Sequence, residues 1–350
     1  MRVTAKMIAE ELGLSIATVD RVLNNRKGVS IKTVEKVKSK AQELGYKPNR
    51  AAKFLATQKV TNIAFILPVF PNYFWDLLDH EIKEGAALYS EFGLRVEVLR
   101  VHTVPENQQV EYVQKIVNIG EYDAIVIAAH DSKPLETIIE QAMKKNIAVF
   151  TINTDVPNSK RIAYVGSDYY DAGFLAGELI HLFEKQSQEI IIIREQEDTF
   201  QMVNKEKGFQ DYFSKTNKDV QIREIKYDTI AYIKEGMVEQ LIKDHSELLQ
   251  KADAVYIAGG LLDKVTHYIE KWDNRPILIG HDMNESIYHA FEQDLITASI
   301  CQDPVAQSAF TLKKLTQYFL DEDNNSIESY IVKPEIVTKA NAKYYMNRAK

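Results

Sequence analysis

The sequence predicts an α/β protein in two parts: a small all-α module at the N-terminus and a larger two-lobed body of alternating strands and helices. Three observations carry this. First, the charge changes sign along the chain: Met1–Ala56 holds 12 Lys and Arg against 5 Asp and Glu, a net of +7, and since the whole chain is −7 the remainder carries −14. Second, the apolar residues of the first 45 positions recur at helical spacing, broken by Gly13. Third, from Thr61 onward short apolar runs alternate with longer amphipathic stretches, the pattern of βαβ units. A small cationic part joined to an anionic body indicates that only one of them meets a polyanion.

A length of 350 residues accommodates two or three domains, and an apolar fraction of 45% is that of an ordinary globular chain. Cys301 is the only cysteine, so no intrachain disulfide can form, which fits a reducing compartment. The first residues lack an uninterrupted apolar segment of the kind a secretory signal needs, and no apolar run approaches the ~20 residues of a membrane span. The expected location is the cytoplasm.

In the basic part, Met7, Ile8, Leu12 and Leu14 suit one short helix ending near Gly13. Ser15 is placed to cap a second helix, whose Val19, Val22 and Leu23 face inward. Two short helices joined through a Gly-containing turn make a helix-turn-helix, whose second helix fits the major groove of DNA. A third amphipathic helix, Ile31–Leu44, turns Val34, Val37 and Ala41 inward and Lys32, Lys36, Lys38 and Lys40 elsewhere, the lysines reading as a solvated face.

Residues Thr4–Ala56 resemble the DNA-binding headpiece of the LacI/GalR family of bacterial transcription regulators. The resemblance is carried by Ile8-Ala9, Leu12-Gly13-Leu14-Ser15, Ala17-Thr18-Val19, Arg21-Val22-Leu23-Asn24, Leu44-Gly45-Tyr46-Lys47-Pro48-Asn49, Ala51-Ala52 and Leu55. It implies that Ile16, Ala17 and Arg21 face base edges, Arg21 as a bidentate donor to guanine and the two apolar residues against a thymine methyl. Thr4, Ser15, Thr18 and Asn24 become candidate phosphate contacts, and Tyr46, Asn49 and Ala52 belong to the same DNA-facing set. Asp20 stands where the family commonly has serine; a carboxylate there either accepts from cytosine or pairs with a basic neighbour. The segment 49–60 resembles the family's hinge helix and linker. It follows Pro48, is too short to be stable alone, and would place Leu55 as a wedge in the minor groove.

The body reads as strands Ile63–Leu67, Arg95–Leu99, Ala124–Ala128, Ala148–Ile152, Ile190–Arg194, Ala254–Ala258 and Ile277–Ile279. Between them lie helices Leu77–Phe92, Asn107–Asn118, Pro134–Lys144, Ala172–Glu184, Val203–Phe213 and Ile233–Lys243. It resembles the periplasmic sugar-binding-protein fold, through Pro71-Asn72-Tyr73-Phe74-Trp75, Asp155–Gly173, Gly208-Phe209, Gly280-His281-Asp282 and Gln302-Asp303-Pro304. The implied organisation is a headpiece over 1–48, a hinge and linker over 49–60, and a two-lobed body over 61–350. Its lobes are expected over 61–161 plus 290–325 and over 162–289 plus 326–350.

The same resemblance implies an effector site between the lobes. Asn72, Phe74 and Trp75 come from the loop after the first strand, the rings to stack on a sugar and the amide to read its hydroxyls. Asn153 and Asp155 follow a later strand, Lys205 stands where arginine is common, and Asp282 and Gln302 align with a ligand aspartate and glutamine. Gly259 takes a position that often holds a ligand asparagine. Asp168 suits the cap of the helix beginning near Tyr170, and His130 suits the rim of the cleft.

Catalytic and cofactor signatures are missing: there is no Walker or GxGxxG loop, no HExxH, no G-x-S-x-G elbow, and a single cysteine. The sequence therefore leads to a non-enzymatic transcription regulator, read as a repressor, without cofactor or metal. It acts as a cytoplasmic homodimer on double-stranded operator DNA under control of a sugar or polyol. A sugar-binding sensor or transport protein sharing the body fold is the alternative.

Overall fold

The structure, a computed structural model, describes residues 3–23, 26–46, 60–103, 108–130, 132–216, 220–232, 234–320 and 327–346. The first two segments hold helices α1 (Ala5–Leu12), α2 (Ile16–Leu23) and α3 (Ile31–Glu43). Each start is capped by a hydroxyl: the amides of Met7, Thr18 and Thr33 donate to Thr4, Ser15 and Ser30 at 3.3, 3.0 and 3.3 Å. Gly13 ends α1 at φ 62°, a left-handed conformation that glycine adopts without strain, and this turns the chain into α2. Ile8, Ala9, Val19, Val22, Val37 and Ala41 close a small core, with Tyr46 packed against it. The three-helix reading, the Gly13 turn and the Ser15 cap all hold.

The body begins with β1 (Thr61–Pro68), α4 (Asn72–Ala87), β2 (Leu94–Val101), α5 (Gln108–Ile119), β3 (Ala124–Ile127), α6 (Ser132–Lys144), β4 (Ala148–Asn153) and β5 (Ala163–Ser167). It continues with α7 (Tyr169–Phe183), β6 (Glu189–Glu195), α8 (Phe200–Lys215), β7 (Gln221–Tyr227), α9 (Met237–Asp244), α10 (Ser246–Lys251), β8 (Ala254–Ile257), α11 (Leu262–Ile269) and β9 (Ile277–His281). The last elements are α12 (Glu285–Glu292), β10 (Ala298–Cys301), α13 (Pro304–Leu320), β11 (Tyr330–Val332), β12 (Glu335–Val337) and α14 (Lys343–Met346).

Among the described residues the strands form two six-stranded sheets, ordered β11-β5-β4-β3-β1-β2 and β12-β10-β9-β8-β6-β7. All pairings are parallel except β12 on β10. Helices cover both faces, which is why central strands such as Ile190–Ile193 are apolar without alternation and fully buried. Burying each such isoleucine stabilises the fold by roughly 1.5–3 kcal/mol.

Strand pairing relocates the lobe boundaries. β5 was expected in the second lobe but pairs with β4 in the first, and β10 was expected in the first but pairs with β9 in the second. The chain therefore crosses between lobes at 167–169, 301–304 and 332–335, and α13 returns to the first lobe, where Leu312 and Leu315 join its core. Hydrogen bonding across a sheet, which the sequence shows only after pairing is known, sets these limits. The helix expected at Leu77–Phe92 starts five residues earlier, at Asn72, and stops before a single 3₁₀ turn, Ser90–Phe92, closed by Gly93 at φ 80°. Strands β5, β7, β10, β11 and β12 were not among the sequence readings. The last two are three residues each, and β7 (Gln-Ile-Arg-Glu-Ile-Lys-Tyr) is a half-exposed edge with three charged side chains.

Candidate functional site

Where the chain passes between lobes, the strand ends deliver a buried polar cluster. Asn153, at the end of β4, sits at φ 61°. Its amide nitrogen donates to Gln302 Oε1 at 3.4 Å and Gln307 Oε1 at 3.3 Å, and its carbonyl accepts from the Tyr164 and Tyr169 hydroxyls at 2.5 and 2.6 Å. Gln302 Nε2 donates to Asp282 Oδ1 at 3.0 Å, joining the ends of β9 and β10. Asp282 is also left-handed, at φ 68°, as Asn and Asp tolerate.

Lys205 enters from α8 and is 1% exposed. Its Nζ donates to the Ala258 carbonyl at 2.8 Å and lies 5.6 Å from the Tyr169 ring centroid. Burial pushes the Lys205 ammonium down to about 8, opposed by the charges of Asp282 and Glu195. Burial pushes the Asp282 carboxyl up to about 6, opposed by Lys205 and the Gln302 hydrogen bond. Behind them His281 is held neutral by burial and by Lys205. The Tyr256 hydroxyl is 2.7 Å from His281 Nε2, and His281 Nδ1 is 3.2 Å from the Ile300 carbonyl, so the ring accepts at Nε2 and donates at Nδ1.

Lys205 reaches this position because α7 and α8 touch backbone to backbone. A Cβ at Gly173 would fall on the Lys205 carbonyl, and one at Gly208 on the Tyr170 carbonyl. Both glycines belong to the segments that carried the family resemblance, and their role is close helix approach.

An open cleft adjoins the cluster and encloses about 690 Å³, part of it open to solvent. The first lobe lines it with Phe70, Trp75, His102, Thr103, His130 and Thr154, and the second with Glu195, Thr199, Gln201 and Thr229. Aromatic faces opposite hydroxyls, an amide and a carboxylate suit a polyhydroxylated ring. The open part of this cleft is therefore not lined by Asn153, Lys205, Asp282 or Gln302. Asn153, Gln302 and Asp282 are chained by hydrogen bonds and Lys205 bonds the Ala258 carbonyl, and we take the cleft and the buried cluster as one site because consecutive residues, Asn153 and Thr154, supply both.

The structure brings Asn153, Lys205, Asp282 and Gln302 together as expected, but revises others. Trp75 lines the cleft, with its indole N–H donating to the Phe70 carbonyl at 3.0 Å. Phe74 does not line it. It is 6% exposed in the first-lobe core and meets Trp75 edge-on at 5.0 Å, so it supports the indole from behind. Asn72, Phe74 and Trp75 start α4 instead of forming a loop, and the Asn72 side chain lies outside the described residues. Asp155 is withdrawn from ligand duty: it forms a buried ion pair with Arg161 and accepts from Thr151 Oγ1 and the Val156 amide, each at 2.7 Å. Asp168 caps α7 by accepting from the Asp171 amide at 3.0 Å. Gln307, Tyr169 and Glu195 were missed; Gln307 lies five residues after Gln302 with no signature of its own.

On α2, Ile16, Ala17 and Arg21 are exposed while Val19 and Val22 are buried. Ile16 keeps half its surface in solvent, which suits an apolar contact still to be made. Asp20 lies 3.4 Å from Arg26 Nη1, so of the two roles open to it, pairing with a basic neighbour is present in the free protein. Thr4 and Ser15 act as helix caps, and the Thr18 hydroxyl lies 2.8 Å from Ser15 Oγ. Asn24, Asn49, Ala52 and Leu55, and with them the hinge, lie outside the described residues.

Comparison with known proteins agrees with both halves. Residues 63–322 match the family described as a periplasmic binding protein domain, and residues 4–49 match bacterial regulatory proteins, lacI family. Catabolite control protein A of Priestia megaterium is 27% identical over 174 residues, 50% of this chain and 50% of that protein. The chain thus spans about half the length of the curated relatives it matches. A solved structure described as a LacI transcriptional regulator from Bacteroides fragilis superposes with a TM-score of 0.74 at 17% identity, covering 82% of this chain and all of that one. GanP, a glucose-galactose binding protein from Geobacillus stearothermophilus, gives 0.71 at 20% identity, covering 81% and 99%. The chain belongs to the periplasmic-binding-protein-domain family and carries a lacI-family regulatory domain at its N-terminus.

Proposed function

We propose that this protein is a DNA-binding transcription regulator whose operator affinity is set by a sugar or sugar-like effector held between the two lobes. It acts in the cytoplasm as a homodimer, presenting two headpieces to the half-sites of a near-palindromic operator. The observation that carries this is the joining, in one chain, of a capped three-helix headpiece with an outward Ile16-Ala17-Arg21 face to a body with an interlobe polar cluster. The family matches support the two halves separately: residues 4–49 match bacterial regulatory proteins of the lacI family, and residues 63–322 a periplasmic binding protein domain.

A transport protein would use the body alone and has no use for a DNA-facing module, so the headpiece favours regulation. Catalytic turnover is not part of the reading: the regulator families matched are defined by binding, and the cluster pairs its polar groups with one another instead of around a nucleophile. Effector and DNA are coupled only if the effector binds the DNA-competent arrangement of the lobes with a different affinity from the alternative arrangement. Selection of tight-binding sequences from random duplex DNA by the intact protein tests the regulator reading. The expected product is a near-palindrome whose half-sites are centred about one helical turn apart; recovery of no preferred sequence contradicts it.

A further inference from the structure

We propose that Tyr73 of the first lobe and Asp263 of the second grip one hydroxyl group of the effector, and that the site is built for an uncharged polyhydroxylated ligand, not a sugar phosphate or sugar acid. This rests on the cleft being the effector site. Tyr73 is the second residue of α4, next to two residues already assigned from the family pattern, and its hydroxyl is buried with no hydrogen-bond partner. The acidic groups that bear on it, Asp282 and Asp263, and its other neighbours Tyr227 and Cys301, all belong to the second lobe, so the phenol reaches across the junction. Asp263 is the second residue of α11. Its Oδ2 accepts from Asn284 at 3.2 Å, while its Oδ1 is buried with no partner.

A dehydrated donor and a dehydrated acceptor thus stand on opposite lobes, each with a hydrogen bond unmade. Buried polar groups are seldom left this way. A sugar hydroxyl both accepts and donates, so one such group completes both: it accepts from Tyr73 and donates to Asp263.

The charge around the site argues for the uncharged class. The described residues lining the cleft include Glu195 and neither Lys nor Arg. Lys205 faces Asp282 and donates to a backbone carbonyl, and Arg161 and Arg100 are held by Asp155 and Asp76. An anionic substituent in the cleft would enter beside Glu195 with no Lys or Arg among the described lining residues to receive it, which opposes binding as an unpaired buried charge does. The usual amide at 259 is also replaced: a Cβ on Gly259 would fall on the Tyr227 hydroxyl. Phenols therefore occupy ground that an amide holds elsewhere in the family.

Isothermal calorimetry on the full chain tests this with D-glucose, D-galactose, D-ribose and myo-inositol. Each is run beside a charged counterpart: glucose 6-phosphate, galacturonate, ribose 5-phosphate and inositol 1-phosphate. At least one uncharged member should bind, and its charged counterpart at least about tenfold more weakly. Tyr73→Phe and Asp263→Asn should each weaken that sugar by about ten- to a hundredfold, the loss of one hydrogen bond to a buried or charged group. The double variant should be little worse than the worse single one, because both groups hold the same hydroxyl. Circular dichroism melts confirm that each variant folds. Unchanged affinity in both singles, with Trp75→Ala abolishing binding, overturns the Tyr73–Asp263 grip and leaves the cleft standing. Tighter binding of a charged counterpart overturns the ligand class. No heat from any uncharged or charged compound overturns the effector reading and this inference with it.

Discussion

Asp20 and Arg21 are neighbours on α2 with opposite prospects on DNA. Arg21 is exposed on the same face as Ile16 and Ala17, and Arg21→Ala should cost about 1–3 kcal/mol of operator affinity and relax preference at one base pair, measured by competition among single-base operator variants. Asp20 is paired with Arg26, so restoring the family serine, Asp20→Ser, frees that guanidinium to meet phosphate; operator affinity should rise, with a steeper salt dependence. In the interlobe cluster, burial raises Asp282 from 3.8 to about 6, so between these values the folded protein holds a proton that the unfolded chain has lost. Stability then falls as pH rises through that window, by at most about 1.4 kcal/mol per pH unit. Lys205 is lowered from 10.5 to about 8, so the folded protein has released a proton that the unfolded chain keeps, and stability rises from pH 8 upward. Urea denaturation across pH 4–7 should show the acid-side fall in the parent protein and its loss in Asp282→Asn. The identities of Asn153, Lys205, Asp282 and Gln302 were legible in the sequence through the family pattern. The role of Asp155 was not, because its partner Arg161 becomes one only when the β4–β5 connection folds back.

At the scale of elements, the α7–α8 crossing fixes the site more than any single ligand residue does. Gly173 and Gly208 allow the two backbones to touch, and that contact sets how far Lys205 projects toward Asp282. Gly173→Ala should destabilise the fold by roughly 1–3 kcal/mol through overpacking and also weaken sugar binding, because the added methyl displaces the Lys205 backbone. Denaturant titration and calorimetry on the same preparation separate the two effects. The sequence disclosed the central strands well, since strands covered on both faces are uniformly apolar. It disclosed β7, β11 and β12 poorly: β7 carries charge on an exposed edge, and the other two are too short for periodicity. It placed α4 late because Asn72, Phe74 and Trp75 read as a ligand-binding loop, whereas the helix begins at Asn72, directly after Pro71.

At the scale of the whole molecule, three segments among the described residues, 167–169, 301–304 and 332–335, carry the chain between lobes. Two of the crossings carry cluster residues: Tyr169 at the first, and Gln302 at the second. A ligand that changes the separation of the lobes therefore acts on the same segments that hold it. The lobe limits expected from the sequence missed these crossings, because sheet membership is a property of pairing and not of any one strand. The charge division near Ala56 was legible from composition alone, and under the proposed function it places the salt-dependent attraction for DNA in the headpiece. Under the proposed function, headpiece and body are joined by one coupling: occupancy of the cleft changes operator affinity. Fluorescence anisotropy of a labelled operator, titrated with the intact protein with and without a saturating sugar that binds the cleft, tests it most directly. Operator affinity should shift by about fivefold or more, and the shift should be absent in Trp75→Ala, whose sugar-free operator affinity is that of the parent. Equal operator affinity with the cleft empty and demonstrably filled would contradict it.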